Sequence, residues 1–167
     1  MNYHNITKDD MLNGEGLRVV LWLAGCEHHC KGCHNPSTWD YRGGIPFDES
    51  AKREIFAELE KDYVHGITFS GGDPLHSKNI GYIYFLIREI EVKFPNKTIW
   101  LYTGYTWEQI QEDFYLLGVV EYVDVLVDGR FEEEKADINY HWAGSTNQRV
   151  IDVNKSLEEG KVVLYEN

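Results

Sequence analysis

The sequence predicts an α/β fold with a mostly parallel sheet. Apolar, β-branched segments typical of strands alternate at least three times with segments of helical periodicity. A short polar or glycine-rich motif follows each strand, and such motifs gather at the C-terminal ends of strands in a parallel sheet. The length of 167 residues favours a single domain, 1–167, around one hydrophobic core.

Three elements are predicted before residue 75. The apolar run Leu17–Leu23 is typical of a buried strand. A helix is expected from a cap at Asp48 or Ser50 to about Tyr63, because its apolar residues recur on one helical face. Residues 66–70 form a second short strand, which a Gly-Gly-Asp-Pro turn ends.

The middle of the chain continues the alternation. Apolar residues at helical spacing predict a second helix over 80–94, and Thr98–Tyr102 is a third apolar strand. A third helix is expected over 106–117, since Thr106 is a favourable N-cap and Gly118 a favourable terminator.

The last part of the chain is predicted to add three strands. Residues 122–127 form a fourth apolar strand, and 149–153 and 161–165 form two late ones. Residues 132–140 are polar and predict a loop. With no internal repeat or linker in the sequence, we expect no further division of the chain.

The only three cysteines of the chain lie within eight residues, directly after the first predicted strand. Cys26, Cys30 and Cys33 form a C-x3-C-x2-C motif, which one loop can wrap around one metal centre. Iron–sulfur cubes usually take four thiolates, so three would leave one iron open to a substrate. The alternative is a structural zinc site, with a neighbouring histidine as the fourth ligand.

The overall charge excludes some classes of partner. A net charge of −12 argues against non-specific nucleic-acid binding and against docking on anionic lipid. No run approaches the roughly 18 apolar residues of a membrane span, and the first residues do not resemble a secretion signal. We therefore expect a cytoplasmic protein, in which thiols stay reduced.

Two further motifs are candidates for ligand contacts. In Ser70-Gly71-Gly72-Asp73, the simplest interpretation is a tight turn, but glycine also permits a close backbone approach to a ligand. Backbone carbonyls beside an acidic side chain would suit a ligand ammonium group. The polar segment 144–149 is either a plain loop or a set of contacts to a polar cofactor.

Together these motifs resemble those of radical S-adenosylmethionine (SAM) enzymes, which combine such a cysteine motif with a Gly-Gly-acid motif after the next strand. The segments 13–26 and 33–40 are similar to the glycyl-radical-enzyme activating enzymes of that superfamily. The short length and the motifs at 70–75 and 144–150 resemble one branch, the activating proteins of anaerobic (class III) ribonucleotide reductase.

The resemblance implies both a fold and a chemistry. The fold is a partial, open (β/α) barrel of the radical SAM type, smaller than the usual eight-unit barrel. Cys26, Cys30 and Cys33 would hold a [4Fe–4S] cluster whose open iron binds the amino and carboxylate groups of SAM. A reducing electron donor then drives cleavage to methionine and a 5′-deoxyadenosyl radical. That radical takes a hydrogen atom from a glycine of the large reductase subunit and leaves a glycyl radical there.

The resemblance also implies which residues contact SAM. Ser70, Gly71, Gly72 and Asp73 would meet the amino end of its methionine part. Gly32 stands where an aromatic residue often precedes the third cysteine, so the adenine must stack elsewhere. The further candidates for SAM contacts are His34, Thr103, Asp128, Ser145 and Asn147.

Two other functions remain open at this point. One is the activation of a different glycyl radical enzyme, such as pyruvate formate-lyase, although those activating enzymes tend to be longer chains. The other is a non-enzymatic adaptor that binds zinc through the cysteine motif.

Overall fold

The computed structural model describes residues 1–166, which form a seven-stranded sheet and five α-helices. The strands are β1 (Asn2–Asp10), β2 (Leu17–Leu23), β3 (Ile45–Pro46), β4 (Val64–Gly71), β5 (Thr98–Tyr102), β6 (Val125–Asp128) and β7 (Arg149–Asp152). The helices are α1 (Glu49–Leu59), α2 (Ile80–Lys93), α3 (Trp107–Glu112), α4 (Phe114–Val120) and α5 (Val153–Glu159). Short 3-10 turns lie at Pro36–Thr38 and Glu133–Lys135.

The sheet has the strand order β3-β1-β2-β4-β5-β6-β7. The four central strands, β2, β4, β5 and β6, pair in parallel, whereas β1, β3 and β7 pair antiparallel to their neighbours. The sheet is open and ends at β3 and β7. The predicted α/β class is therefore confirmed, with a mixed sheet whose four central strands are parallel.

The main core lies on one face of the sheet. Alternate residues of the central strands, such as Leu21, Phe69 and Leu101, pack with helix residues such as Ile55 and Ile87, and all five are fully buried. This is the expected result of strands whose side chains alternate between faces against helices with one apolar stripe.

The opposite face carries a smaller aromatic cluster and a buried cation. Trp100 packs edge-on against Trp142 and Tyr165. Arg18 is fully buried beside Trp100, and its five N–H groups donate to main-chain carbonyls and to the hydroxyls of Thr68 and Thr98. Burial lowers the pKa of Arg18 to about 10, which still leaves it protonated at neutral pH.

The prediction of a single helix over 106–117 is wrong, because the structure has two helices there. Asp113 adopts an extended conformation between α3 and α4, and its carboxylate accepts hydrogen bonds from the backbone N–H groups of Tyr115 and Leu116. It thus caps a new helix instead of continuing the old one. Gly118, predicted as the terminator, lies inside α4.

The strand predicted at 161–165 is also wrong. This segment makes a single bridge between Leu164 and Ile151, and α5 precedes it. Asp152 caps that helix, and Gly160 ends it in the left-handed conformation at φ 66°. At the other end of the chain, the polar strand β1 pairs with β2 and was not predicted.

None of the helices formed by residues 1–166 has both the length and the apolar character that a membrane span requires.

Candidate active site

A cavity of about 350 Å³ lies at the C-terminal ends of the parallel strands. Cys26, Cys30 and Cys33 all line it, and each is a free, partly exposed thiol. Within residues 1–166, no three His, Cys, Asp or Glu side chains approach closely enough to share a single metal ion. Three soft sulfur ligands around one cavity fit the donor set of an iron–sulfur cluster.

The cysteines differ in their surroundings. Burial raises the pKa of the Cys26 thiol to about 11, although backbone N–H groups of His28 and His29 favour its thiolate. The Cys33 sulfur accepts a weak hydrogen bond from the Asn35 backbone at 3.4 Å. Burial disfavours the thiolate of Cys26, and a metal centre bound to the sulfur would favour it.

The cysteine loop is tied to the loop that follows β4. Gly72 donates a backbone hydrogen bond to Leu23, and Asp73 donates one to Gly25 at 2.7 Å. A Cβ atom at Gly72 would lie only 2.4 Å from the carbonyl oxygen of Gly25. The glycine is therefore required for the close approach of the two loops, whatever else the motif does.

Six of the nine predicted SAM contacts line the cavity together with the three cysteines. They are His34, Ser70, Gly71, Gly72, Asp73 and Thr103. Asp128, Ser145 and Asn147 are not among the residues that line it. The predicted motifs after β2, β4 and β5 thus converge, as expected for one edge of a parallel sheet.

Asp128 is buried and binds other parts of the protein. Its carboxylate accepts the Trp107 backbone N–H at the start of α3 and forms an ion pair with Arg149. Arg149 also pairs with Glu108, and this hydrogen bond lowers the pKa of Glu108 to about 2. Hydrogen bonds to both carboxylates raise the pKa of Arg149. This group of ion pairs and hydrogen bonds fastens α3 to β6 and β7.

Ser145 and Asn147 lie in the loop before β7. The hydroxyl of fully buried Ser145 accepts the Glu132 backbone N–H at 3.1 Å. Asn147 donates from Nδ2 to the carbonyl of Arg130 at 2.8 Å, while its buried Oδ1 has no hydrogen-bond partner in the described part of the chain. An unpaired buried acceptor costs about 1–3 kcal/mol, so Oδ1 is suited to a donor from a bound ligand.

Several cavity residues were not predicted as contacts. His28, Gly104, Phe131 and Gln148 line the cavity, and the Phe131 ring lies 5.0 Å from that of His34. The sequence carried a weak signal for His28, which lies between two cysteines. Phe131 and Gln148 carried none, because only the folded loops bring them to the cysteine motif.

Comparison with known proteins shows which sequences this chain resembles. The family model described as a 4Fe-4S single cluster domain matches residues 12–151. The anaerobic ribonucleoside-triphosphate reductase-activating protein of Enterobacteria phage T4 is 43% identical over 150 residues, covering 90% of this chain and 93% of that protein. The protein of that name from Escherichia coli K12 is 40% identical over 152 residues, covering 90% and 97%. That from Pasteurella multocida is 39% identical over 150 residues, covering 89% and 95%.

Proposed function

The chain belongs to the family of anaerobic ribonucleoside-triphosphate reductase-activating proteins, and we propose that it activates such a reductase at an iron–sulfur cluster. The observation that carries the proposal is the position of Cys26, Cys30 and Cys33, whose free thiols line one cavity with the glycine-rich loop after β4. We further propose that SAM is the cosubstrate and that the product is a glycyl radical on the reductase.

The cofactor carries the difficult chemistry, and this chain binds and orients its partners. A [4Fe–4S] cluster would supply the electron for reductive cleavage of SAM. The three cysteines would hold it. Ser70, Gly71 and Gly72 would meet the amino end of SAM with main-chain groups, and Asp73 would add negative charge behind them.

The remaining candidates have distinct roles in this proposal. His34 and Phe131 lie together on the cavity wall and would pack against the adenine. Asn147 stands outside the cavity lining and would meet the ligand only through its unpaired Oδ1. Asp128 and Ser145 would act indirectly, by holding α3 and the loop before β7. Thr103 lines the cavity and would contact the ligand from the end of β5.

The open sheet supports the remaining part of the proposal. We propose that the fold, as one domain over 1–167, is a partial barrel of the radical SAM type whose open side admits a glycine loop of the reductase. Docking of that partner would then exclude water and oxygen from the cavity. The electron donor would be a reducing protein or small molecule, and the activity would belong to the cytoplasm, where the cysteine thiols stay reduced.

The test is anaerobic reconstitution with iron and sulfide, followed by incubation with SAM, a reductant and a class III reductase. We expect a glycyl radical signal by electron paramagnetic resonance, and none with Cys30→Ala. A signal with pyruvate formate-lyase in place of the reductase would contradict the assigned partner. Protein purified without oxygen that contains zinc but no iron or sulfide would contradict the cluster itself.

A further inference from the structure

Asp73 is the most fully hydrogen-bonded side chain of the cavity. It is 1% exposed, and four groups donate to its carboxylate. Leu75 N–H lies 2.8 Å from Oδ1, Gly104 N–H lies 3.0 Å from Oδ2, and the Thr103 hydroxyl lies within 3.0 Å of both oxygens. The fourth donor is His28 Nε2, 2.6 Å from Oδ2.

These contacts occupy all the hydrogen-bond acceptor positions of the Asp73 carboxylate. An ionised carboxylate offers about four lone-pair positions and no donor, so four donors leave no position for a ligand ammonium group. The shortest of the contacts goes to the cysteine loop and not to the cavity space. This geometry indicates that Asp73 acts on the cysteine loop.

The His28 ring is enclosed on several sides. Its side chain is 7% exposed, and it packs edge-on against Tyr105 with ring centroids 4.7 Å apart. A Cβ atom at Gly104 would lie 2.4 Å from the ring, so only glycine leaves room for it. The slot for His28 is thus formed by the ends of β4 and β5 and fixes the ring in one position.

His28 connects this slot to a metal ligand. It lies between Cys26 and Cys30, and its backbone N–H, with that of His29, favours the thiolate of Cys26. Movement of the His28 side chain would therefore displace the loop between the two cysteines together with its backbone N–H groups. Hydrogen bonds to the sulfurs are among the factors that set the reduction potential of an iron–sulfur cluster.

We propose that Asp73 and His28 are positioning residues for the cluster. Asp73 holds the His28 ring by a hydrogen bond and so fixes the cysteine loop around the cluster. The inference rests on the proposed function and deepens it. It assigns the acid of the Gly-Gly-Asp motif to retention and tuning of the cluster, and leaves direct contact with the amino group of SAM to main-chain groups of the same loop.

The experiment compares full-length variants after anaerobic reconstitution, with no SAM and no reductase present. His28→Asn removes the donor to Asp73, whereas His28→Gln keeps an amide N–H near the position of Nε2. His29→Asn is the matched control, because the His29 ring packs on Trp39, 4.7 Å away. Asparagine also tolerates the positive φ of 48° at that position. Asp73→Asn tests the other partner.

Two quantities are measured for each variant: the rate at which iron passes to a ferrous chelator, and the midpoint potential from a redox titration. We expect His28→Asn and Asp73→Asn to lose iron about 10- to 100-fold faster than wild type, the usual effect of removing a residue that orients a metal ligand. Their potentials should fall, because the backbone N–H groups of the cysteine loop become less well placed around the cluster. His28→Gln should lie closer to wild type in both measurements, and His29→Asn should match it.

Equal iron release and equal potentials for His28→Asn and His29→Asn would overturn the inference. So would an Asp73→Asn protein that releases its iron at the wild-type rate. If a separate titration of that protein then shows weaker SAM binding, Asp73 is a direct ligand contact instead. If His28→Asn does not fold, His28→Gln is compared with His28→Ala instead. The inference is then overturned if His28→Gln retains iron no better than His28→Ala. A wild-type chain that assembles no cluster at all would instead refute the proposed function.

Discussion

The cysteine loop and the loop after β4 approach each other closely at Gly72, and from this contact we predict that Gly72→Ala destabilises the protein. The new methyl group would lie 2.4 Å from the carbonyl oxygen of Gly25 and 3.0 Å from its nitrogen. Ordinary van der Waals contact begins near 3.4 Å, so one loop must move by about 1 Å. Both neighbouring atoms belong to the backbone, and no side chain can rotate away.

The magnitude follows from this overlap. Inserting a methyl group into a well-packed position costs about 1–3 kcal/mol. With a urea dependence of about 1–3 kcal/mol per molar, a loss of about 2 kcal/mol lowers the unfolding midpoint by roughly 1 M. The loop that must move carries Cys26, so the variant should also retain less iron after reconstitution.

Gly118→Ala is the matched control. A Cβ atom at Gly118 would have no neighbour within 4 Å, and the residue lies partly exposed inside α4. Replacing a helical glycine by alanine there should raise the free energy of unfolding by about 0.8–1 kcal/mol. Urea unfolding of the two apoprotein variants decides the question. Equal midpoints for Gly72→Ala and wild type would refute the argument that the motif is glycine because the two loops touch.

Three further predictions concern the site and its support. Cys30→Ala should abolish both iron binding and SAM cleavage, measured by iron content and methionine release, and an active cluster in that variant would contradict the ligand assignment. Arg18→Leu should lower the free energy of unfolding by at least about 2 kcal/mol in urea titrations, since it leaves several buried acceptors without donors; an unchanged midpoint would contradict this. Glu108→Gln should cost less than about 1 kcal/mol at neutral pH, because its pair with Arg149 is largely exposed. The pKa of Glu108 is lowered from 4.5 to about 2, so the difference from wild type should be full above pH 4.5 and shrink as the pH falls toward 2. A difference that stays constant over that range in urea titrations would contradict the pairing.

Parts of the fold that depend on local pattern were predictable. The strands β2 and β5 have the predicted bounds, and α2 agrees to within one residue. Their apolar periodicities are strong and their ends carry glycine or proline. The cysteine motif belongs to the same class of signal, since its spacing alone keeps the three thiols on one loop.

Other elements were decided by contacts that the local pattern does not contain. The strand β1 is polar and half exposed, and it forms because β2 offers an unpaired edge. The boundary between α3 and α4 depends on the extended conformation of Asp113, whose carboxylate caps the second helix. In the first case the deciding interaction is a pairing with another strand, and in the second it is a cap within a run that reads as one helix.

The sequence by itself determined the alternation of strands and helices, the cysteine triad and the order of the motifs, because each depends on residues close together along the chain. Only the tertiary structure decided what the acidic residues contact. Asp73 meets His28 across 45 residues of chain, and Asp128 meets Arg149 across 21. A carboxylate reads the same in a sequence whether it binds a ligand or a distant loop, and the difference lies in which donors the fold brings within about 3 Å of it.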